Sequence, residues 1–306
     1  MLEKELVIIG GGPAGYAAGL YAARADIDTM LVERGMPGGQ AASTEWIENY
    51  PGFPGGVGGV DLAMKMDEQA RSFNLDVEFA DVERLEQREG GFIVHTTQGS
   101  IGTKAVILAT GAKPKFLGVE GEGKFHGRGV SYCATCDGAF FRDKTVAVVG
   151  GGDSAVEEAI FLTKFAAKVY IVHRRGQLRA TKILQKRAVD NPKIEFLWHA
   201  VVEEIVGENK VEVIKVKDVQ TGDQTRVLVD GIFVYVGTRA NSELVQDLVK
   251  LDERGYIITD ENMSTGIPGL YAAGDVRQKS LRQVVTATAD GAIAAVEVEK
   301  YLAGHE

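Results

Sequence analysis

The chain has 306 residues, a formal net charge of −9 at pH 7, and 45% hydrophobic against 25% charged residues. That suits about two globular domains whose cores need no disulfide staple. The acidic balance argues against nucleic acid as a main partner, and no stretch approaches the roughly 18 apolar residues that cross a bilayer. Gly is over-represented at 38 of 306 and clusters between apolar runs, the pattern of tight turns and close backbone approach to a ligand. The opening "MLEKELVIIGGG" carries a short apolar run that leads into glycine, which reads as a strand rather than a secretory signal. A cytoplasmic protein is expected, and in that compartment a close thiol pair is more often catalytic or metal-binding than structural.

In chain order, "ELVII" (5–9) reads as a buried parallel strand. "GGGPAG" (10–15) follows and fits G-x-G-x-x-G with Gly10, Gly12 and Gly15 around Pro13 and Ala14. A helical pattern, "YAAGLYAARA", and a second strand, "TMLVE", complete a βαβ unit, the context that makes the glycine motif specific. The first glycine serves the turn, the second the approach of a pyrophosphate, and the third close helix–strand packing. Glu33 stands eighteen residues beyond Gly15. A carboxylate there accepts hydrogen bonds from ribose hydroxyls and repels a 2′-phosphate. "FIVHTT" (92–97) and "KAVILATG" (104–111) read as a β-meander closing back on the sheet, and Pro114 and Gly118 mark a crossing into a second domain.

The only two cysteines, Cys133 and Cys136, lie in "VSYCATCDGAFF". A C-x-x-C pair can close and reopen a small disulfide ring. The alternative is half of a zinc site, which needs four ligands; there is no second C-x-x-C, and the five histidines are scattered.

The βαβ pattern then repeats 140 residues after its first copy. "TVAVV" leads into "GGGDSA" (150–155), with Gly150, Gly152, Asp153, Ser154 and Ala155 forming the second turn, and "VEEAIFLTKFA" and "KVYIV" follow. His173 stands where Glu33 stood, followed by Arg174 and Arg175, with Arg179 one helical turn further on. Guanidinium forks suit a phosphate, so this second site is expected to hold NADPH. "KVEVIKVKDV" (210–219) and "GIFVYVG" (231–237) read as its meander, and "GTRANSELV" (237–245) as the return. The expected class is α/β, with two Rossmann-like, three-layer FAD/NAD(P)-binding domains, the second inserted into the first: 1–113, 114–241 and 242–306. In the tail, "LYAA" runs into Gly274 and Asp275, and a long helical pattern has its first turn near Arg282–Val284, placed to aim N–H groups at a bound ring.

"GGGPAG", "CATCDG", "GGGDSA", "HRR…RA" and "LYAAGDV", in this order and over essentially the whole chain, resemble the low-molecular-weight, bacterial-type thioredoxin reductases. The resemblance implies FAD in the first site, NADPH in the second, a homodimer, a redox-active Cys133–Cys136 disulfide, and thioredoxin or a similar small dithiol protein as acceptor. It implies FAD contacts at Gly12, Pro13, Ala14, Glu33, Gln40, Asn49, Asp275, Arg282, Gln283 and Val284, and NADPH contacts at Ser154, His173, Arg174, Arg175 and Arg179. Cys136 would engage the flavin and Cys133 the substrate. Asp137 would be the acid–base residue, the alternative being a helix N-cap before "GAFF". Thr238, Ala240, Ala289, Ala41 and Ala42 depart from the family's usual residues without removing a catalytic group. One disulfide must meet both flavin and protein, so the inserted domain is expected to swing about linkers near 112–118 and 237–244. An alkyl hydroperoxide reductase component would carry an extra N-terminal dithiol domain. A ferredoxin oxidoreductase is disfavoured by the C-x-x-C, and an oxygen-using dithiol oxidase by "HRR". A non-catalytic redox sensor would show no turnover.

Overall fold

Leu6, Val7, Ile8 and Ile9 are apolar at every position because both faces of their strand are covered, as in parallel sheets. Leu6 and Ile8 pack with Ala14, Tyr16, Ala18 and Ala294 from two helices; Val7 and Ile9 pack on the other side with Val32, Val106, Leu108 and Ile257. A computed structural model gives this arrangement and describes residues 1–44 and 46–304. The chain divides into two compact units, 1–113 with 239–306, and 114–238. The return crossing thus falls at 238/239, three residues before the boundary read from the sequence.

The first unit holds a seven-stranded sheet in the order Asp76–Phe79, Thr29–Glu33, Leu2–Ile9, Gly99–Leu108, Gly91–Thr96, Val82–Arg88, with Leu270–Ala272 also on Gly99–Leu108. The long strand Gly99–Leu108 runs parallel to Leu2–Ile9 and Leu270–Ala272 and antiparallel to Gly91–Thr96. The expected meander therefore joins the parallel sheet through a single strand. Helices Pro13–Arg24 and Val284–Ala303 cross closely. A Cβ on Gly291 would stand 2.1 Å from the Ala14 carbonyl oxygen, so only glycine permits that approach. The tail helix begins at Val284, after Arg282 and Gln283 rather than with them, because Gln283 and Thr286 close a reciprocal capping box at its start.

The second unit has a five-stranded, all-parallel sheet in the order Val130–Ser131, Gly231–Tyr235, Thr145–Gly150, Lys168–His173, Ile194–Trp198. Helices Asp153–Leu162 and Lys182–Val189 contribute to the core on one face. An antiparallel sheet of Ala200–Val206, Val213–Asp218 and Gln224–Leu228 contributes to the core on the other. Residues 231–235 belong to the parallel sheet, not to that meander: Val229 N and Asp230 N bond to Glu212 O and Thr145 O, and the chain starts afresh beside Thr145–Gly150. The crossing segments Ala112–Pro114 and Thr238–Ala240 pair as a two-stranded ribbon. The Asn241 side chain donates to Thr110 O at 2.8 Å, and the Thr110 hydroxyl donates to Asn241 O at 2.7 Å.

Candidate functional site

In the first unit, the glycine turn sits at the C-terminal end of the central strand. Gly10 has φ +109°, and a Cβ on Gly15 would fall 1.8 Å from Gly10 O. Gly12 is the N-cap of helix Pro13–Arg24 and offers no capping side chain, which leaves the first N–H groups free. A Cβ on Gly12 meets nothing within 4 Å, so the approach to those donors is open. Glu33 accepts from Gly11 N at 2.6 Å through one carboxylate oxygen and from Gly35 N at 2.9 Å through the other. A carboxylate has about four acceptor sites, so ribose hydroxyls can still be taken up. Gly38 N donates to Gly11 O at 2.7 Å and lays the "GGQ" segment, with exposed Gln40 on the short helix Gly39–Ala42, over the turn.

The tail supplies the rest of this cradle. Gly274 takes φ +79°, with Asp275 next to it. Asn49 Nδ2 donates to Gln283 Oε1 at 3.0 Å, which joins two residues 234 positions apart. Burial raises the Asp275 pKa, opposed by Lys279 and Arg282. Its buried Oδ1 makes no hydrogen bond and lies 3.5 Å from the Lys279 ammonium. Arg282 lies 3.9 Å over the Tyr256 ring, with its buried Nε unpartnered.

In the second unit the same construction recurs with different charge. Gly152 is an N-cap without a capping side chain, and a Cβ there would also meet nothing within 4 Å. Arg174, Arg175 and Arg179 are all exposed. Arg179 is not on a helix: its backbone N–H donates to Gly151 O at 2.6 Å, joined by Ala180 N–H at 3.1 Å, so the 174–181 segment folds back onto the glycine turn. Asp153 holds the same segment by accepting from Thr181 N at 2.6 Å, while Ser154 is exposed. His173 is buried beneath Gly151, whose ideal Cβ would be 2.4 Å from the ring. Burial lowers its pKa, and the neighbouring arginines add to this, so the positive charge at this site belongs to the arginines.

Cys133 and Cys136 form a disulfide with their Cα atoms 5.3 Å apart. The short helix Ala134–Asp137 carries the pair, with Cys136 exposed and Cys133 half-buried. Cys136 N–H donates to Cys133 Sγ at 3.2 Å, and the Thr135 hydroxyl lies 3.3 Å from the same sulfur. Asp137 precedes the 3₁₀ turn Gly138–Phe141 but makes no side-chain capping bond to it. Among the described residues no cluster of three or more metal-ligating side chains occurs.

A family model described as pyridine nucleotide-disulphide oxidoreductase matches residues 4–291. The chain belongs to that family. It is 48% identical to a thioredoxin reductase of Bacillus subtilis over 97% of this chain and 94% of the relative. It is 50% identical to a thioredoxin reductase of Listeria innocua, with 97% and 93% covered. The crystal structure of Lactococcus lactis thioredoxin reductase (FR conformation) superposes with a TM-score of 0.97 at 47% identity, covering 98% of this chain and 99% of that one. The protein is a flavoprotein oxidoreductase, with FAD and NADPH as its cofactors. Its residues fit both: each unit presents an uncapped helix N-terminus behind an open glycine, one beside a carboxylate and the other beside three exposed guanidiniums.

Two buried carboxylates have roles that the sequence does not announce by a motif. Asp290 is buried and accepts from Gly274 N at 3.1 Å, Arg277 Nε at 2.9 Å and Lys279 Nζ at 3.0 Å, which fixes the Gly274–Asp275 turn from behind. A signal for it existed, since it shares a helical face with Ala287, Gly291, Ala294 and Val298, an acid in an apolar stripe. Glu122 is buried and accepts from Leu117 N, Gly118 N and the Tyr132 hydroxyl, with no local pattern to announce it.

Proposed function

We propose that the protein is an NADPH-dependent thioredoxin reductase acting through Cys133 and Cys136. The observation that carries this is a closed disulfide on the same unit as the second glycine turn and the exposed arginines that follow it. Bound NADPH and FAD supply the electron pair that opens the disulfide. Glu33 and the helix behind Gly12 hold the adenosine ribose and pyrophosphate of FAD, and Gln40, Asn49, Gln283, Asp275, Arg282 and Val284 hold its remainder. Arg174, Arg175 and Arg179 take the 2′-phosphate of NADPH, with Ser154 and the N–H groups behind Gly152 on its pyrophosphate.

Opening the disulfide yields two thiols. The Cys133 thiolate then attacks the acceptor's disulfide, a mixed disulfide forms, and one acceptor sulfur leaves as thiolate. Attack by Cys136 on the Cys133 sulfur releases the second acceptor thiolate and restores the ring. Asp137, whose side chain does not cap the following turn, gives and takes the protons of these steps. The Cys136 N–H and the Thr135 side chain lie beside Cys133 Sγ, where the thiolate charge develops. Between half-reactions the 114–238 unit turns about the ribbon of Ala112–Pro114 and Thr238–Ala240, since the same pair serves flavin and protein. The chain works as a cytoplasmic homodimer; exposed Tyr21, Val60, Met64, Ile293 and Val296 on the first unit's helices supply apolar surface for the pairing.

The test is NADPH-driven reduction of thioredoxin by the wild-type protein and by Cys133→Ser. The variant is expected to keep its flavin and lose turnover; full activity in the variant rejects the dithiol route.

A further inference from the structure

Tyr235 stands at the end of strand Gly231–Tyr235, paired with Gly150 of the nucleotide-binding turn. Its carbonyl oxygen would lie 2.5 Å from a Cβ on Gly150, so its backbone is built into that turn. Its side chain reaches the other site of the unit. The hydroxyl oxygen accepts the Ala134 N–H at 2.9 Å, a bond between residues 101 positions apart. Ala134 is the first residue of the dithiol helix and fully buried, so its N–H has no recourse to water. Burial raises the Tyr235 pKa, with Glu158 adding to it, so the ring stays a neutral phenol at working pH.

This bond is made to the backbone beside the reactive sulfurs. Ala134 lies between the cysteines, and the next turn of backbone places Cys136 N–H on Cys133 Sγ at 3.2 Å and Asp137 N–H on Cys133 O at 3.2 Å. All three bonds are present with the disulfide closed. The closed ring holds residues 133 and 136 in one backbone form, whereas the opened pair is free to relax.

We propose that Tyr235 is a positioning residue for the disulfide: its hydroxyl fixes the backbone of the dithiol helix from the edge of the nucleotide-binding turn and stabilises the closed form over the open one. It acts through the Ala134 peptide. The proposal rests on the reading of Cys133 and Cys136 as the redox pair, but its test does not depend on turnover.

The test is Tyr235→Phe in the full-length, flavin-loaded protein. Wild type and variant are equilibrated anaerobically, without NADPH, in graded mixtures of reduced and oxidised dithiothreitol. The samples are then acid-quenched and alkylated, and thiols are counted by mass. Flavin absorbance in the same samples reports any separate effect on the flavin, and thermal unfolding reports general loosening. Leaving one buried donor unpaired in the closed form is expected to move the disulfide–dithiol equilibrium about tenfold toward dithiol. The flavin's own reduction in the same samples is expected to stay unchanged. A shift under threefold, a shift toward disulfide, or a shift in the flavin alone overturns the proposal. A lowered melting temperature with an unmoved equilibrium makes Tyr235 merely structural and also overturns it. If the wild-type pair does not titrate at all, the underlying dithiol reading fails instead.

Discussion

Replacing Arg174 and Arg175 together by Ala tests the charge logic of the second nucleotide site. The fold should tolerate it. Both side chains are exposed, and the segment is held by backbone bonds from Arg179 and Ala180 to Gly151 O and from Thr181 N to Asp153, none of which uses a guanidinium. A hydrogen bond between charged partners contributes about 1.5–3 kcal/mol, and solvent screening at an exposed site reduces that to about 1 kcal/mol for each arginine. The pair then contributes about 2 kcal/mol, or roughly a 30-fold rise in KM for NADPH at 1.4 kcal/mol per decade. NADH lacks the 2′-phosphate, so its KM should stay within about twofold. The assay is steady-state turnover with each nucleotide at two ionic strengths. The wild-type advantage for NADPH should shrink at high salt, and the variant should have little left to lose. An equal rise in both KM values would refute the reasoning, because the segment would then serve the common pyrophosphate or the fold.

Gly12→Ala should fold normally as apoprotein, since its Cβ meets nothing within 4 Å, yet purify with markedly less flavin because the methyl occupies the pyrophosphate's approach; the 450 nm absorbance per chain checks this. Glu122→Ala leaves Leu117 N–H, Gly118 N–H and the Tyr132 hydroxyl without their acceptor and should cost about 3 kcal/mol of stability in urea unfolding; a loss under about 1 kcal/mol would show that water replaces the carboxylate. His173 has a folded pKa below its unfolded value, so the unfolded chain binds the proton more readily and stability is lost as pH falls through the unfolded pKa near 6.5. The melting temperature should therefore drop between pH 7.5 and 5.5, and His173→Gln should flatten that slope. A disulfide crosslink engineered between the two units should stop turnover and spare flavin content; unchanged turnover would count against domain motion.

The parts of the molecule legible in the sequence are those where a local backbone demand fixes the residue type. Gly10, Gly15 and Gly150 are such positions, because their φ values or neighbouring carbonyls admit nothing larger. The strands leading into them are legible because both faces are buried. Gln40, Asn49 and Gln283 are another matter. No spacing rule connects them, and Gln40 and Asn49 enter only through resemblance to a family, although a bond joins Asn49 to Gln283 in the first turn of the tail's helical pattern. The sequence puts Arg179 a helical turn beyond Arg175, but the bonds from Arg179 N and Ala180 N to Gly151 O make the segment a returning loop. Asp290 and Tyr235 act at long range, through Gly274 N and Ala134 N. Such contacts depend on how helix and sheet are laid together, and no window of the chain contains both partners.

The central claim is that the electron pair of NADPH comes to rest on Cys133 and Cys136. The most direct measurement is a count of alkylatable thiols per chain before and after anaerobic addition of NADPH to the oxidised, flavin-loaded protein. No alkylatable thiol is expected before and two after, mapped by mass to peptides holding residues 133 and 136. Flavin bleaching with no new thiols would contradict it.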